Sequence, residues 1–348
     1  MELKELIVSM ASLMTVTGYE TYDAERLDEL IGDLFDESMT DTLGNRIFIK
    51  RCGRENAPRI LVDAHLDEIG MMVTEIKENG FLTVTNVGGV DTRILQASDV
   101  VIYGKEKIFG VVGSTPPHLQ QSGDAKKLRA IGELLIDTGY SKEELEKIVR
   151  VGTPVGFEVK YVDLANGKIA GKGFDDKACA ACAVEGIRRA AREDLAGDVY
   201  LMLSSREETT RVAGAATGAY AIDPDYAFVF DVNLGTTPDV PKSESVEVGG
   251  GVSLTVCPIT DRRLTRMTAE LAEKKGLKYQ ISVSGSGMGT NTPSIHMTGA
   301  GIPCVDVGLP LKSMHTCAES LDMADAECAA ELIAAFITSK EIAEVFKR

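Results

Sequence analysis

Residues 60–68 read Ile60-Leu61-Val62-Asp63-Ala64-His65-Leu66-Asp67-Glu68, a short apolar run that passes directly into an imidazole and two carboxylates. Three later apolar runs are followed in the same way by Glu207-Glu208, by Asp231 and, after a short loop, by His315. Short buried strands that alternate with helical segments predict a parallel or mixed α/β sheet. Because ligands bind such sheets beyond the carboxyl ends of the strands, we expect these side chains to meet at one edge.

The length, net charge and cysteine content of the chain limit its expected number of domains, its partners and its compartment. The chain has 348 residues, and single cores stop growing near ~250–300 residues, so we expect two domains. The net charge of −16 argues against nucleic acid or an anionic membrane as a partner, because both need a basic face. Seven scattered cysteines favour a reducing compartment, and no signal peptide is visible. These features predict a cytoplasmic protein.

The character of the chain changes between Asp67 and Asp175. Short strand-like runs separated by glycine turns predict a small β barrel or sandwich, and these runs are residues 71–76, 81–87, 99–103 and 107–112. The α/β pattern has returned by Asp175. We therefore predict a β-rich domain of residues 69–167 inserted into an α/β domain of residues 1–68 and 168–348.

The side chains at the strand ends suit a dinuclear hydrolytic metal centre. Such a centre needs a carboxylate shared by both ions, further ligands on each ion, and a base for the attacking water. The candidate groups are His65, Asp175, Glu207 or Glu208, Asp231 and His315. Two adjacent glutamates repel unless a cation is near, so one could bind metal while the other accepts a proton. Mixed imidazole and carboxylate ligands suit zinc, cobalt or manganese.

Asp67 has a predicted role beside the first histidine. In an extended segment, residues two apart point to the same side, as Asp67 and His65 would. A metal-bound histidine usually donates its other ring N–H to a carboxylate or carbonyl. We therefore expect the Asp67 carboxylate to accept a hydrogen bond from His65.

The ordered set of motifs resembles the tetrahedral, or glutamyl, aminopeptidase family, whose members are dinuclear metallopeptidases and were in part formerly classed as cellulases. The motifs that carry the resemblance are Thr17-Gly18-Tyr19-Glu20, Ala64-His65-Leu66-Asp67-Glu68-Ile69-Gly70, Phe174-Asp175-Asp176-Lys177, Glu207-Glu208, Phe230-Asp231 and Pro310-Leu311-Lys312-Ser313-Met314-His315-Thr316. The resemblance covers nearly the whole chain. It implies a zinc-peptidase-like α/β fold, with a mixed but mostly parallel sheet flanked by helices and an inserted small β barrel.

The resemblance also implies roles for individual residues. Asp175 would bridge two divalent ions and would be joined to Asp176 by a cis peptide bond. The other ligands would be His65 and Asp231 on one ion, and Glu208 and His315 on the second. Glu207 would be the general base and Asp67 would orient His65.

Beyond the site, the resemblance implies peptide substrates that lose residues from their amino termini. It also implies that the inserted domain builds homodimers, which assemble into hollow dodecamers with the active sites inside. Zinc is the expected metal, with cobalt or manganese as alternatives.

Two departures from the family pattern bear on activity. The segment after Glu208 reads Thr209-Thr210-Arg211-Val212-Ala213-Gly214-Ala215, one residue longer than usual, and the late loop has Asn291 in place of an aspartate. We expect the second change to remove a negative charge beside the substrate. Two alternatives therefore stay open: a related dinuclear amidohydrolase, such as a deacylase or carboxypeptidase, and a catalytically weak metal-bound homologue.

Overall fold

The computed structural model describes residues 1–116, 118, 129–209, 213–285 and 287–348. Within these ranges the chain forms a mixed α/β layer and a closed barrel of antiparallel strands. The predicted fold class is therefore confirmed. The division into domains at residues 68 and 168 stays a prediction.

The strands include β4, β5, β6 and β7, which lie close to the four runs predicted between residues 71 and 112. In chain order they are β1 (Glu37–Thr40), β2 (Arg46–Lys50), β3 (Arg59–His65), β4 (Gly70–Ile76), β5 (Leu82–Val87), β6 (Asp99–Tyr103), β7 (Lys107–Val112), β8 (Ile136–Asp137), β9 (Pro154–Phe157), β10 (Tyr161–Asp163), β11 (Lys168–Gly171), β12 (Asp198–Ser204), β13 (Tyr226–Leu234), β14 (Val252–Val256), β15 (Tyr279–Val283), β16 (Cys304–Leu311) and β17 (Glu319–Asp322).

The helices precede, separate and follow these strands. They are α1 (Leu3–Ala11), α2 (Ala24–Ile31), α3 (Thr92–Leu95), α4 (Lys142–Ile148), α5 (Phe174–Ala190), α6 (Ala213–Ile222), α7 (Arg262–Lys275), α8 (Thr292–His296), α9 (Met323–Thr338) and α10 (Lys340–Phe346). In the described ranges, none of them combines the length and the apolar character that crossing a membrane requires.

The topology of the large sheet places the functional edge. Its described strands follow the order β1-β2-β12-β3-β13-β16-β14-β15, and the central four, β12, β3, β13 and β16, run parallel. Ser204 pairs with His65, and Val229 pairs with Asp63, so Asp231 lies level with His65. The carboxyl ends of these four strands therefore meet along one edge, where ligands of open α/β sheets bind.

The barrel is a separate apolar unit. Its described strands close in the order β4-β5-β8-β7-β6-β9, with antiparallel neighbours. Along β7, inward residues such as Ile108 and Val112 are buried, whereas the alternate residues Phe109 and Val111 are exposed. This alternation is what a strand with one face in a core requires.

Helix α5 connects the core to the functional edge. It is buried along most of its length and packs against α1, α9 and the sheet. Small residues allow this close packing: Cys179 and Cys182 are buried free thiols, and Gly186 lies directly against α9. Asp175 lies at the kinked start of α5, where Asp175 and Asp176 have non-helical dihedral angles, and the buried helix that follows anchors its position.

The contact at Gly186 gives a test of this packing. An added Cβ would lie 2.8 Å from the carbonyl oxygen of Ala330 and 2.8 Å from Cβ of Ile333. We expect Gly186→Ala to lower the free energy of unfolding by roughly 1–3 kcal/mol, as overpacking does, despite a gain of about 1 kcal/mol in helix propensity. Urea titration followed by circular dichroism measures the change.

Gly32→Ala is the matched control. Gly32 has helical dihedral angles (φ −57°, ψ −38°) and no heavy atom within 4 Å of an added Cβ. Alanine there should leave stability unchanged or raise it by roughly 0.4–1 kcal/mol. Equal stability of the two variants would contradict the packing described for α5.

Candidate metal centre

The six predicted ligand and base residues reach one cleft from five different elements. His65 ends β3, Glu207 and Glu208 follow β12, Asp231 lies in β13, His315 follows β16 and Asp175 begins α5. The cleft has a volume of about 890 Å³. Besides these six side chains, it is lined by Asn86, Val87, Gly88, Gly89, Thr209, Val232, Gly289 and Met314.

Two groups of potential ligands share Asp175. His65, Asp175 and Asp231 form the first group, and Asp175, Glu208 and His315 form the second, each with ligand atoms within 4.8 Å of one another. Oδ1 of Asp175 lies 3.1 Å from Nε2 of His65, and Oδ2 lies 3.3 Å from Nε2 of His315. The two oxygens of one carboxylate thus face the two groups separately, as a bridging ligand would.

The remaining distances complete each group. His65 Nε2 lies 3.9 Å from Oδ1 of Asp231, and His315 Nε2 lies 3.3 Å from Oε1 of Glu208. Oε2 of Glu207 lies 4.0 Å from His65 Nε2 and belongs to neither group. Glu207 therefore lies beside the two groups of potential ligands without belonging to either.

The barrel contributes to the same site through a glycine turn. An added Cβ at Gly89 would lie 2.8 Å from Nδ1 of His315, and one at Gly88 would lie 3.3 Å from the carbonyl oxygen of Glu208. Gly88 also has a positive φ of +76°. The turn after β5 therefore lies against the His315 ring at a distance that a larger residue would not allow.

The electrostatics of the site favour a bound cation. Burial raises the pKa of Glu207 to about 7, and burial likewise raises the pKa of Glu208 and of Asp231. Hydrogen bonds to Asp175 and Glu208 raise the pKa of His315 to about 10. Several buried carboxylates compete for few positive charges, and a divalent cation would relieve that repulsion.

The chemical types of the potential ligand atoms also suit divalent metal ions. Each group offers one imidazole nitrogen and two carboxylates, the ligand types that zinc, cobalt and manganese accept. Asp175 is joined to Asp176 by a cis peptide bond, and Oδ2 of Asp176 accepts a hydrogen bond from the backbone N–H of His65 at 3.0 Å.

The predicted contact between Asp67 and His65 differs in the structure. Nδ1 of His65 lies 2.9 Å from the backbone carbonyl oxygen of Asp67, but 3.7 Å from the nearer carboxylate oxygen. The expectation was wrong because strand β3 ends at His65. The regular alternation of side chains along an extended strand therefore does not continue to Asp67. The Asp67 backbone carbonyl orients the ring instead.

The carboxylate of Asp67 has another set of partners. It accepts hydrogen bonds from the backbone N–H groups of Glu207 (2.9 Å) and Glu208 (3.1 Å), and from the hydroxyl of Thr17 (2.9 Å). Glu20 supports the same turn by accepting a hydrogen bond from the backbone N–H of Arg206 at 3.0 Å. Asp67 and Glu20 therefore hold the backbone that carries the two glutamates.

Asn291 does not lie beside the cleft, where the sequence analysis placed it. It is 1% exposed, and its Nδ2 donates hydrogen bonds to Asp63 (2.9 Å) and to the hydroxyl of Ser204 (2.8 Å). The expected loss of a charge beside the substrate is therefore wrong, because this side chain is buried against strands β3 and β12 and does not line the cleft. Of the lengthened segment after Glu208, residues 210–212 lie outside the described residues.

Glu319 is a site residue that the sequence reasoning missed. Its carboxylate accepts hydrogen bonds from the backbone N–H groups of Phe174, Asp175 and His315. The only available signal was its place four residues after His315, within a segment without regular periodicity.

Comparisons with known proteins agree with this geometry. The model of the family described as M42 glutamyl aminopeptidase matches residues 44–332. The lysyl aminopeptidase of Pyrococcus furiosus is 28% identical over 338 residues, which cover 96% of each chain. An aminopeptidase structure from the archaeon Desulfurococcus kamchatkensis aligns with a TM-score of 0.90 and 31% identity, covering 99% of this chain and 98% of that one.

A further solved structure is that of a peptidase that forms large assemblies. The TET1 peptidase of Pyrococcus horikoshii, which can assemble into a tetrahedron or a large octahedral shell, aligns with a TM-score of 0.85 and 29% identity. The match covers 97% of this chain and all of that chain (100%). With a family model that spans most of its length, this chain belongs to the M42 glutamyl aminopeptidase family and is a peptide hydrolase.

Proposed function

We propose that this aminopeptidase uses two divalent ions that share the Asp175 carboxylate. His65 and Asp231 would complete the site of one ion, and Glu208 and His315 would complete that of the other. The observation that supports this most is the division of the Asp175 oxygens, 3.1 Å and 3.3 Å from the two imidazoles. Zinc fits the mixed nitrogen and oxygen ligands, and cobalt or manganese would fit as well.

Glu207 is the proposed general base. When bound, the ions would polarise the scissile carbonyl and make the attacking water more acidic. Glu207 lies in the cleft, 4.0 Å from His65 of the first group, and burial raises its pKa to about 7. A carboxylate with a pKa near neutrality can take a proton from water and return it to the leaving amine. Asp67 would serve this step by fixing the Glu207 backbone.

The proposed substrates are peptides with a free amino terminus. The cleft combines four carboxylates with a wall of small and apolar residues, among them Gly88, Gly89 and Val232. A protonated α-amino group is attracted by the acidic end of such a cleft. The apolar wall can accept the side chain of the first residue.

We also propose an assembly and a location. The domain of residues 69–167 would join two copies, and the dimers would build a closed dodecamer, by analogy with the tetrahedron of the TET1 peptidase. The exposed Phe109 and Val111 on strand β7 support an interface on the barrel. A cytoplasmic location is consistent with seven cysteines that all remain free thiols.

A substrate panel tests the aminopeptidase activity. We expect metal-reconstituted protein to hydrolyse amino-acid p-nitroanilides and short peptides from the amino terminus, because the site is built to accept that end. N-acetylation should abolish the reaction on the same peptides. Cleavage of the N-acetylated peptides at an equal rate, measured by mass spectrometry, would instead favour the deacylase or carboxypeptidase alternative.

The role of Glu207 has its own test. Glu207→Gln should lower kcat by roughly 10²–10⁴-fold, the range of general acid–base catalysis, while metal content is unchanged. Metal analysis and steady-state kinetics on the same sample measure both quantities. The control is Glu106→Gln, which alters an exposed glutamate between β6 and β7 and should leave both quantities as in the wild type. A Glu207→Gln variant with wild-type turnover would refute the assignment.

A further inference from the structure

The Glu319 carboxylate joins the backbone on both sides of the Asp175–His315 contact. Oε2 of Glu319 accepts hydrogen bonds from the N–H groups of Phe174 (2.7 Å) and Asp175 (3.2 Å). Oε1 accepts the N–H of His315 at 3.0 Å. Glu319 is 2% exposed, so these bonds are sheltered from competing water.

On the helix side, Glu319 satisfies donors that would otherwise lack acceptors. The N–H groups of Phe174 and Asp175 lie at the kinked start of α5, where Asp175 and Asp176 have non-helical dihedral angles, and N–H groups at a helix start have no acceptor within the helix. Gly171 pairs with Glu319 between strands β11 and β17, which places the carboxylate directly beneath this start. The bridging residue Asp175 is thereby tied to a strand as well as to its helix.

On the loop side, Glu319 holds a backbone conformation that is otherwise unfavourable. Ser313 and His315 have φ values of +56° and +61°, in the left-handed region that L residues seldom adopt. A bridge between Lys312 and Ser320 closes the loop, and the His315–Glu319 bond is made inside it. Such conformations persist where surrounding bonds determine them.

We propose that Glu319 is a positioning residue that sets His315 against Asp175 and so builds the second ion site, of Asp175, Glu208 and His315. This inference rests on the proposed two-ion function. The first ion site should depend on Glu319 less, because His65 and Asp231 belong to strands β3 and β13. Glu319 touches neither substrate nor metal in this account.

Glu319→Gln is the variant that tests the proposal. It keeps the size of the side chain but replaces one acceptor oxygen with an NH₂ group that faces backbone N–H groups. We expect wild-type protein to take up two Zn²⁺ ions in calorimetric titration and metal analysis. In Glu319→Gln, the dissociation constant of the first ion should change less, because Asp175 is the one residue of that group that Glu319 contacts. The dissociation constant of the second ion should rise roughly 10–100-fold, the range found when residues that support metal ligands are changed.

Asp325→Asn is a matched control from another part of the fold. The Asp325 carboxylate is also buried, and it too accepts hydrogen bonds from backbone N–H groups, those of Gly249 (2.7 Å) and Gly251 (2.7 Å). This variant should lose thermal stability but keep both Zn²⁺ affinities. It separates a general structural loss from the selective effect expected at Glu319.

Double variants identify the weakened site. Adding His315→Ala to Glu319→Gln should cause little further loss of Zn²⁺, whereas adding Asp231→Asn should remove the ion that remains. If Glu319→Gln does not fold, Glu319→Asp, which keeps the charge but has a shorter side chain, should show the same selective loss of Zn²⁺ affinity.

Folded Glu319 variants that bind both ions with wild-type affinity, or that lose affinity for both ions equally, would overturn the proposal. Wild-type protein without Zn²⁺ uptake would instead refute the proposed function.

Discussion

The site depends on one carboxylate whose two oxygens face different imidazoles. Asp175 lies 3.1 Å from His65 on one side and 3.3 Å from His315 on the other. The two histidines are 250 residues apart in sequence, at positions 65 and 315, and no local pattern could bring them together. Helix α5 places Asp175 between them because its buried length packs against the sheet and α9.

The rest of the fold serves this arrangement through the sheet. Four adjacent parallel strands end at one edge, so the residues that follow them converge without long loops. Backbone hydrogen bonds to Asp67, Glu20 and Glu319 then fix the short segments that leave those strands. The result concentrates negative charge where burial disfavours it, and a bound cation would compensate. Without such a cation, this site would be an electrostatically costly part of a well-packed molecule.

The sequence predicts the strands and the groups at their ends better than the contacts between them. Apolar runs identify β3, β12, β13 and β16, because strands buried on both faces have continuous apolar composition. The partners of Asp67, Asn291 and Glu319 could not be predicted in the same way. Their contacts depend on loop dihedral angles, such as the positive φ values of Arg206 and His315, which hydrophobic periodicity does not encode.

Diffraction from crystals of zinc-reconstituted protein, recorded at the zinc absorption edge, measures the central feature most directly. A centre in which two ions share Asp175 predicts two anomalous peaks per chain, roughly 3.5–4 Å apart as in other two-metal sites, with one oxygen of Asp175 on each. One peak, or two peaks that do not share Asp175, would contradict it.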